Sequence, residues 1–195
     1  MKPDFDKAQN AATNLLLQQE IRSLYIDVRN FKLPDHIYID SIQKYCSMTG
    51  IPSSKLQGKN IDGACLVKAK KNRIILYDDT VENEQRKQWG ICHELGHVCL
   101  DHTDDNRESE IEAHFFAAQL VMPEIVLWDI YKRKGSLTDY DLYDSFNASY
   151  IAANKRIDTL QRRGRFNSNE KDQLLLEKFR PILDREFSMR RDVVV

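Results

Sequence analysis

Apolar and polar residues along this chain repeat with two periods, which predict a mostly helical protein with one small sheet. Two short apolar runs, residues 64–67 and 74–77, flank the polar turn Lys70-Lys71-Asn72 and predict an antiparallel hairpin. The other ordered segments carry apolar residues at helical spacing. The predicted helices span residues 6–22, 39–48, 79–101, 107–121, 123–134, 137–146, 149–163 and 169–187.

Single residues mark where several of these helices begin and end. Asp79 precedes a run of acids and predicts the capped start of the helix over 79–101. Gly50 and Gly135 follow the last helical positions of their segments and predict helix ends. Pro123 fits the first turn of a helix, and Pro181 predicts a kink in the last one.

The composition is that of a globular protein in a reducing compartment. Hydrophobic residues make up 42% of the 195 positions and charged ones 30%, which excludes wholesale disorder. With 29 Lys+Arg against 30 Asp+Glu, the net charge of −1 gives no global attraction to nucleic acid. No apolar run is long enough for a bilayer, and MKPDFDKAQN has acids where a signal peptide has an apolar core. The four cysteines form no C-x-x-C pair, so we expect reduced thiols and a cytoplasmic location.

The run His93-Glu94-Leu95-Gly96-His97 is the first candidate for chemistry. Two histidines four positions apart on a helix lie one turn apart on one face, so both imidazoles can reach one ion. Catalytic zinc sites use three protein ligands and leave one position for water. Glu94, next to the first histidine, is then in place to act as the general base. The pattern predicts a zinc site with His93 and His97 as ligands.

A third ligand has to come from elsewhere, and the acids at the start of the next helix are the candidates. Glu112 lies on the helical stripe of large apolar residues and is the predicted ligand, although it can also be the capping partner of Ser109. Glu108 shares that stripe and is the competing candidate. Glu110 and His114 lie about 200° away from Glu112 in helical projection, so we expect both to point elsewhere.

Three other residues near the motif have simpler interpretations. Cys92 and Cys99 share a face of the motif helix, but neither lies in register with the histidines, so we expect buried small hydrophobic residues. His102 falls outside the spacing of a third histidine ligand. We expect it to lie at the helix end or behind a ligand.

Two blocks of this sequence together resemble the ImmA/IrrE family of metallopeptidases. The first is HELGHVCLDH, and the second is EAHFFAAQLVMP over residues 112–123, where the family has Glu-Ala-Asn-x-Phe-Ala-x-x-Leu-Leu-Met-Pro. A downstream segment with Ser149, Arg156 and Leu160 resembles the family's Ser-x-x-Ala-x-x-x-Arg-Leu, so the resemblance covers roughly residues 10–162. The chain departs from the family at His114, where Asn is usual.

The resemblance implies a fold and a set of site residues. It implies His93, His97 and Glu112 as zinc ligands and Glu94 as the catalytic residue, in agreement with the spacing. The implied fold class is α+β and mostly helical. It has a zincin-like core, in which the small antiparallel hairpin packs on the HExxH helix, and a C-terminal helical lobe.

We therefore predict a metallopeptidase domain over residues 1–134 and a helical lobe over 135–195 that packs on it. The lobe resembles a helix-turn-helix, and Lys155, Arg156, Arg162, Arg163 and Arg165 against Asp158 make its second helix locally basic. A packed helix with a solvated basic face is the preferred interpretation. Direct DNA binding and membrane binding are not expected.

The predicted function is zinc-dependent cleavage of a protein substrate. Similar proteins in prophages and mobile elements cleave a helix-turn-helix repressor and so relieve repression, and such an XRE-type repressor is the expected partner. The alternatives are an anti-repressor that binds without cutting and a DNA- or protein-binding regulator with a structural metal. We expect the strand over residues 73–77 to be an edge strand that holds an extended substrate segment.

Overall fold

The computed structural model describes residues 2–57, 63–104, 106–164 and 168–191, and these residues are mostly helical. The helices are α1 (Phe5–Leu17), α2 (Ile42–Thr49), α3 (Ser54–Gln57), α4 (Glu84–Cys99), α5 (Arg107–Val121), α6 (Glu124–Lys134), α7 (Asp139–Phe146), α8 (Tyr150–Arg163) and α9 (Glu170–Arg191). The strands are β1 (Ile37–Ser41), β2 (Ala64–Ala69) and β3 (Asn72–Tyr77). The α+β class predicted from the sequence is confirmed.

The chain divides into two compact units, and the division differs from the one predicted at residue 134. The first unit comprises residues 1–11 and 27–117, and the second comprises residues 12–26 and 118–195. Both α1 and α5 therefore run from one unit into the other. A sequence-based boundary follows gaps between helices, whereas here the helices themselves cross it.

The sheet belongs to the first unit and has the order β1-β3-β2. The predicted antiparallel hairpin is confirmed, with β2 paired to β3 and Lys70 in the left-handed region at φ 53°. Strand β1 pairs parallel to β3, and its last three residues, 39–41, lie in the segment 39–48 for which the sequence predicts a helix. That helix instead begins at Ile42, because the Ser41 hydroxyl accepts a hydrogen bond from the Lys44 N–H.

Strand β3 lies in the centre of the sheet, so the prediction that residues 73–77 form an edge strand is wrong. Ile75 and Leu76 are fully buried, as the central position requires. Among the described residues, β2 pairs only with β3 and forms one edge of the sheet. Leu76 and Cys65 pack with Ile42 and Leu56 in a small core against α2 and α3.

Helix α4 packs on β2 and β3 and carries the histidine motif. It begins at Glu84 rather than at Asp79, because Asn83 is the cap: its Oδ1 accepts from the Arg86 N–H at 2.9 Å. Asp78 ends the preceding strand in a local turn, where its carboxylate accepts from the Thr80 N–H. The predicted end of the helix, near Asp101, is close to the observed one.

Helix α5 lies against α4 at a glycine. A Cβ added at Gly96 would lie 3.0 Å from the Cα of Ala113 and 3.2 Å from Cδ1 of Phe116. The backbones of the two helices can approach this closely only because one position is glycine and the other alanine. Ala113 and Phe116 are fully buried, so this face of α5 is fixed against α4.

The second unit is a set of helices around a buried arginine. The predicted helix ends at Gly135 and, for α8, at Arg163 are confirmed. Arg156 was predicted to lie in a basic solvated face, but it is 2% exposed, and its Nε donates to the Met122 carbonyl at 3.1 Å. Burial lowers the pKa of Arg156 to about 10. The predicted basic face is therefore smaller than its sequence suggests, and Arg165 lies outside the described residues.

No single helix among the described residues is long and apolar enough to cross a membrane. One bent pair of helices, α5 and α6 with 49° between them, is long and apolar enough, by length and composition only.

Replacing Gly96 by Ala tests the contact between α4 and α5. Alanine would ordinarily stabilise a helix by up to about 1 kcal/mol over glycine. Here we expect a loss of about 1–3 kcal/mol in the free energy of unfolding, because the added Cβ overlaps backbone atoms. Chemical denaturation measures the change.

The control is Gly135→Ala. No atom lies within 4 Å of its added Cβ, so only its left-handed backbone (φ 77°) opposes the substitution. A Gly96→Ala protein that is more stable than the parent would contradict the close approach.

Candidate metal centre

Helix α4 brings two histidines together in a buried position. His93 and His97 lie on one face of the helix, and their Nε2 atoms are 3.1 Å apart. Both side chains are buried. This arrangement follows from the four-residue spacing, as the sequence predicts.

The carboxylate that faces this pair is Glu110, on the first turns of α5. Its Oε2 lies 3.3 Å from Nε2 of His93, and its Oε1 lies 3.4 Å from Nε2 of His97. The Glu110 side chain is 44% exposed, whereas the histidine side chains are 8% exposed. These three side chains are therefore enclosed by protein on the histidine side and exposed to solvent on the carboxylate side.

The three side chains fit a tetrahedral metal ion. Ligand bonds of about 2.0–2.1 Å place neighbouring ligand atoms of a tetrahedral zinc about 3.3 Å apart. The two histidine nitrogens are 3.1 Å apart, and the two carboxylate oxygens of Glu110 lie 3.3 and 3.4 Å from one nitrogen each, which is close to that value. Two imidazoles and one carboxylate form a donor set that zinc prefers.

The electrostatics of His93 also suit a ligand. Burial, together with the neighbouring histidines His114, His97 and His102, lowers the pKa of His93 to about 3. The imidazole therefore stays neutral, which is the form that binds metal. Its Nδ1 is buried and has no hydrogen-bond partner among the described residues.

Glu112, the ligand predicted from the sequence, lies against His102. Its Oε2 is 3.1 Å from Nε2 of His102, and its Oε1 accepts from the Asp4 N–H at 2.7 Å. The reason is the rotation of α5, which the contact of Ala113 with Gly96 fixes. Relative to Ala113, Glu110 lies about 60° to one side of the helix and Glu112 about 100° to the other.

His114 also differs from the prediction that it faces away. Its ring centroid lies 4.3 Å from that of His93, and one ligand atom each of His93, Glu110 and His114 lie within 4.8 Å of one another. Glu108, the competing candidate, is not part of this group. In helical projection, Glu110 and His114 lie on the same side of Ala113. A small residue such as Ala113 on a helix can mark the face that packs closely on another helix, and this signal could have identified both residues.

Glu94 follows His93 directly on α4 and is half-buried. Its position beside the histidine pair is the one that the motif requires. Its role as a general base stays a prediction.

His102 lies behind His97, as the sequence predicts. Its Nδ1 is 3.1 Å from Nδ1 of His97, on the side of the ring opposite the Nε2 that faces Glu110. Asp101, in the left-handed region at φ 58°, turns the chain back so that the His102 N–H donates to the His97 carbonyl at 2.9 Å.

The cysteines of α4 take no part in this group. Burial raises the pKa of the Cys92 thiol and raises that of Cys99 to about 11. Both thiols therefore stay protonated, and a protonated thiol is a poor metal ligand. Cys92 is the buried residue that the sequence predicts, and Cys99 is half-buried. None of the four cysteines, all within the described residues, forms a disulfide.

Comparison with known proteins assigns more than half of the chain to a family. No curated protein matches the chain. Residues 49–158 match the Peptidase_M78 family model, described as the IrrE N-terminal-like domain. The match covers more than half of the chain and contains α4, the turn at His102 and the whole of α5. The chain therefore belongs to this family of metallopeptidases, as the two sequence blocks indicate.

Proposed function

We propose that this protein is a zinc-dependent endopeptidase whose ligands are His93, His97 and Glu110. The observation that carries the proposal is the convergence of two buried imidazoles and one carboxylate at about the spacing of a tetrahedral site. Membership in a metallopeptidase family supports it. Glu110 replaces Glu112 in the ligand set because Glu110 faces both histidines, whereas Glu112 contacts His102.

In the proposed hydrolysis of a peptide bond, the metal and the protein side chains have different roles. When bound, zinc supplies a Lewis acid and lowers the pKa of a coordinated water to roughly 7. Glu94 takes the proton from the attacking water and delivers it to the leaving nitrogen of the peptide bond. The buried histidines exclude bulk water from one side of the site, and the exposed Glu110 side leaves room for a substrate.

The proposed substrate is a helix-turn-helix repressor, and the proposed setting is the cytoplasm. Support comes from the resemblance to the ImmA/IrrE family, whose members in mobile elements cleave such repressors. Cleavage would relieve transcriptional repression.

We further propose that an extended segment of the substrate pairs with the free edge of β2. The Asp78 N–H donates to the Gly63 carbonyl at 2.8 Å, so these two residues are a hydrogen-bonded pair of the antiparallel ladder. Hydrogen-bonded pairs alternate with non-bonded ones, and Leu66 opposite Ile75 is a non-bonded pair. The Leu66 N–H and carbonyl therefore point away from β3, toward any added strand.

One observation favours a second candidate function. The closeness of His114 to His93 and Glu110 would let it act as a fourth protein ligand. Four protein ligands leave no position for water, which is the arrangement of a structural site. The protein would then act by binding its partner without cutting it.

The ligand set is tested by metal content. We expect the purified protein to contain about one zinc per chain. Glu110→Gln should lower this content strongly, because it removes the carboxylate that faces both histidines, while Glu112→Gln should still load one zinc. Mass spectrometry of the metal under native conditions gives the count. Loss of zinc with Glu112→Gln but not with Glu110→Gln would contradict this ligand set and support Glu112, the ligand predicted from the sequence.

Glu94→Gln separates binding from catalysis. It keeps the size of the side chain but removes the base, so zinc content should survive while repressor cleavage falls by about 10²–10⁴-fold. Cleavage is followed by electrophoresis of the purified repressor. Retained cleavage would remove Glu94 from the mechanism, and retained derepression in cells without cleavage would favour action by binding.

His114→Asn is the companion variant for this test. If three residues hold the metal and one position is left for water, His114 is not a ligand, and His114→Asn should keep the cleavage activity. A parent protein that is inactive and becomes active with His114→Asn would favour the closed, structural site.

Leu66→Pro tests the edge of β2. Proline removes an N–H that points away from β3, so the β2–β3 ladder should persist while substrate pairing is lost. We expect cleavage to fall at least tenfold with zinc content and circular dichroism unchanged. Leu66→Ala, which shortens the side chain but keeps the N–H, is the matched control. Equal activity of the two variants would exclude strand addition at this position.

A further inference from the structure

Glu112 and His102 lie behind His97 and are not accounted for by the proposed ligand set. We propose that they are positioning residues which fix the tautomer of His97, so that its Nε2 carries no proton and can bind the metal. This inference rests on the proposed metal site and adds to it the reason why His97 is ready to serve as a ligand.

The contacts form one continuous chain. The Asp4 N–H donates to Glu112 Oε1 at 2.7 Å, and Glu112 Oε2 lies 3.1 Å from Nε2 of His102. Nδ1 of His102 lies 3.1 Å from Nδ1 of His97. The side chains of His102 and Glu112 are 8% and 13% exposed. Water therefore has little access, and the polar groups depend on one another for hydrogen bonds.

When His102 and His97 are both neutral, proton counting along this chain gives a single arrangement. A carboxylate accepts hydrogen bonds and cannot donate them, so His102 must donate from Nε2. The Nδ1 of a neutral His102 is then an acceptor, and the facing Nδ1 of His97 has to carry the proton. The Nε2 of His97 is left with its lone pair, and that atom faces His93 and Glu110. A histidine ligand held by a further polar partner in this way is a recurring feature of metal sites.

The fold keeps these groups in place from both sides. The left-handed Asp101 reverses the chain after α4 and sets His102 against His97. From the other side, the N-terminal segment supplies the Asp4 N–H, and Lys7 Nζ donates to the Leu100 carbonyl at 2.7 Å. Phe5 also contacts Phe115 of α5, with ring centroids 4.9 Å apart. Asp4 and the first turn of α1 thus hold Glu112 in position.

A matched pair of substitutions at Glu112 tests the proton arrangement. Glu112→Asp keeps a group that can only accept. Glu112→Gln keeps the size but adds an NH₂ donor, which can point at His102 and reverse the direction of both hydrogen bonds. Glu108→Gln, one turn earlier on α5, is the control for loss of an acid from this helix.

The first measurement is the histidine ¹⁵N spectrum of the zinc-free protein at about pH 8, above the ordinary histidine pKa of about 6.5. We expect His97 to be protonated on Nδ1 in the parent, in Glu112→Asp and in Glu108→Gln. In Glu112→Gln we expect the Nε2-protonated form to appear. A purely structural role for Glu112 would lower the melting temperature without moving these shifts, and that result would overturn the proposal.

The second measurement is zinc affinity by competition with a coloured chelator. We expect Glu112→Gln and His102→Ala each to weaken binding by about 10–100-fold while still loading one zinc at saturation. Glu108→Gln should not change the affinity. Unchanged affinity in both variants would overturn the positioning role even though the metal site stands. A parent protein that binds no zinc would overturn the proposed function itself. If Glu112→Gln does not fold, His102→Ala and Glu112→Asp decide the question.

Discussion

The close approach of α4 and α5 at Gly96 is the contact on which the rest of the candidate site depends. Gly96 and Ala113 let the two backbones come within van der Waals distance, and Phe116 closes the same face. That contact fixes the rotation of α5. Rotation of a helix by one residue position moves a side chain by about 100°, so it decides which acid of α5 faces the histidines. Glu110 faces the histidines for this reason.

The site has two sides with different physical character. On the α4 side the imidazoles are buried, and burial keeps His93 neutral. On the α5 side Glu110 is open to solvent. A metal-dependent hydrolase needs both properties, because ligands must be deprotonated and the substrate must reach the metal. The turn at Asp101 and the contact of Asp4 with Glu112 add a third layer, in which Glu112 and His102 lie behind His97.

The second unit has a buried polar arrangement of its own. Arg156 donates to the carbonyl of Met122, the residue after α5, and Arg163, whose side chain is 34% exposed, pairs with the buried Glu124 at 2.9 Å. Removing Arg163 would leave the buried Glu124 carboxylate without this cation, which is destabilising. Arg156 is therefore part of the packing of the helices, although it lies in a basic stretch of the sequence.

Local sequence by itself determined the helices α5, α6 and α8, the hairpin of β2 and β3, and the pairing of His93 with His97. Each depends on short-range spacing, on capping residues or on turn residues, which act within a few positions. The two blocks that resemble the ImmA/IrrE family, HELGHVCLDH and residues 112–123, added the expectation of a metal site.

Tertiary structure alone decided which strand is central, where the compact units divide and which glutamate meets the histidines. β1 is five residues long and joins the sheet through a parallel pairing with distant residues, so its own pattern could not separate it from α2. Glu110 and Glu112 are two positions apart and lie on different faces of α5. The sequence does not show which of these faces packs against α4. Only the contact of Ala113 with Gly96, far away in sequence, makes that choice.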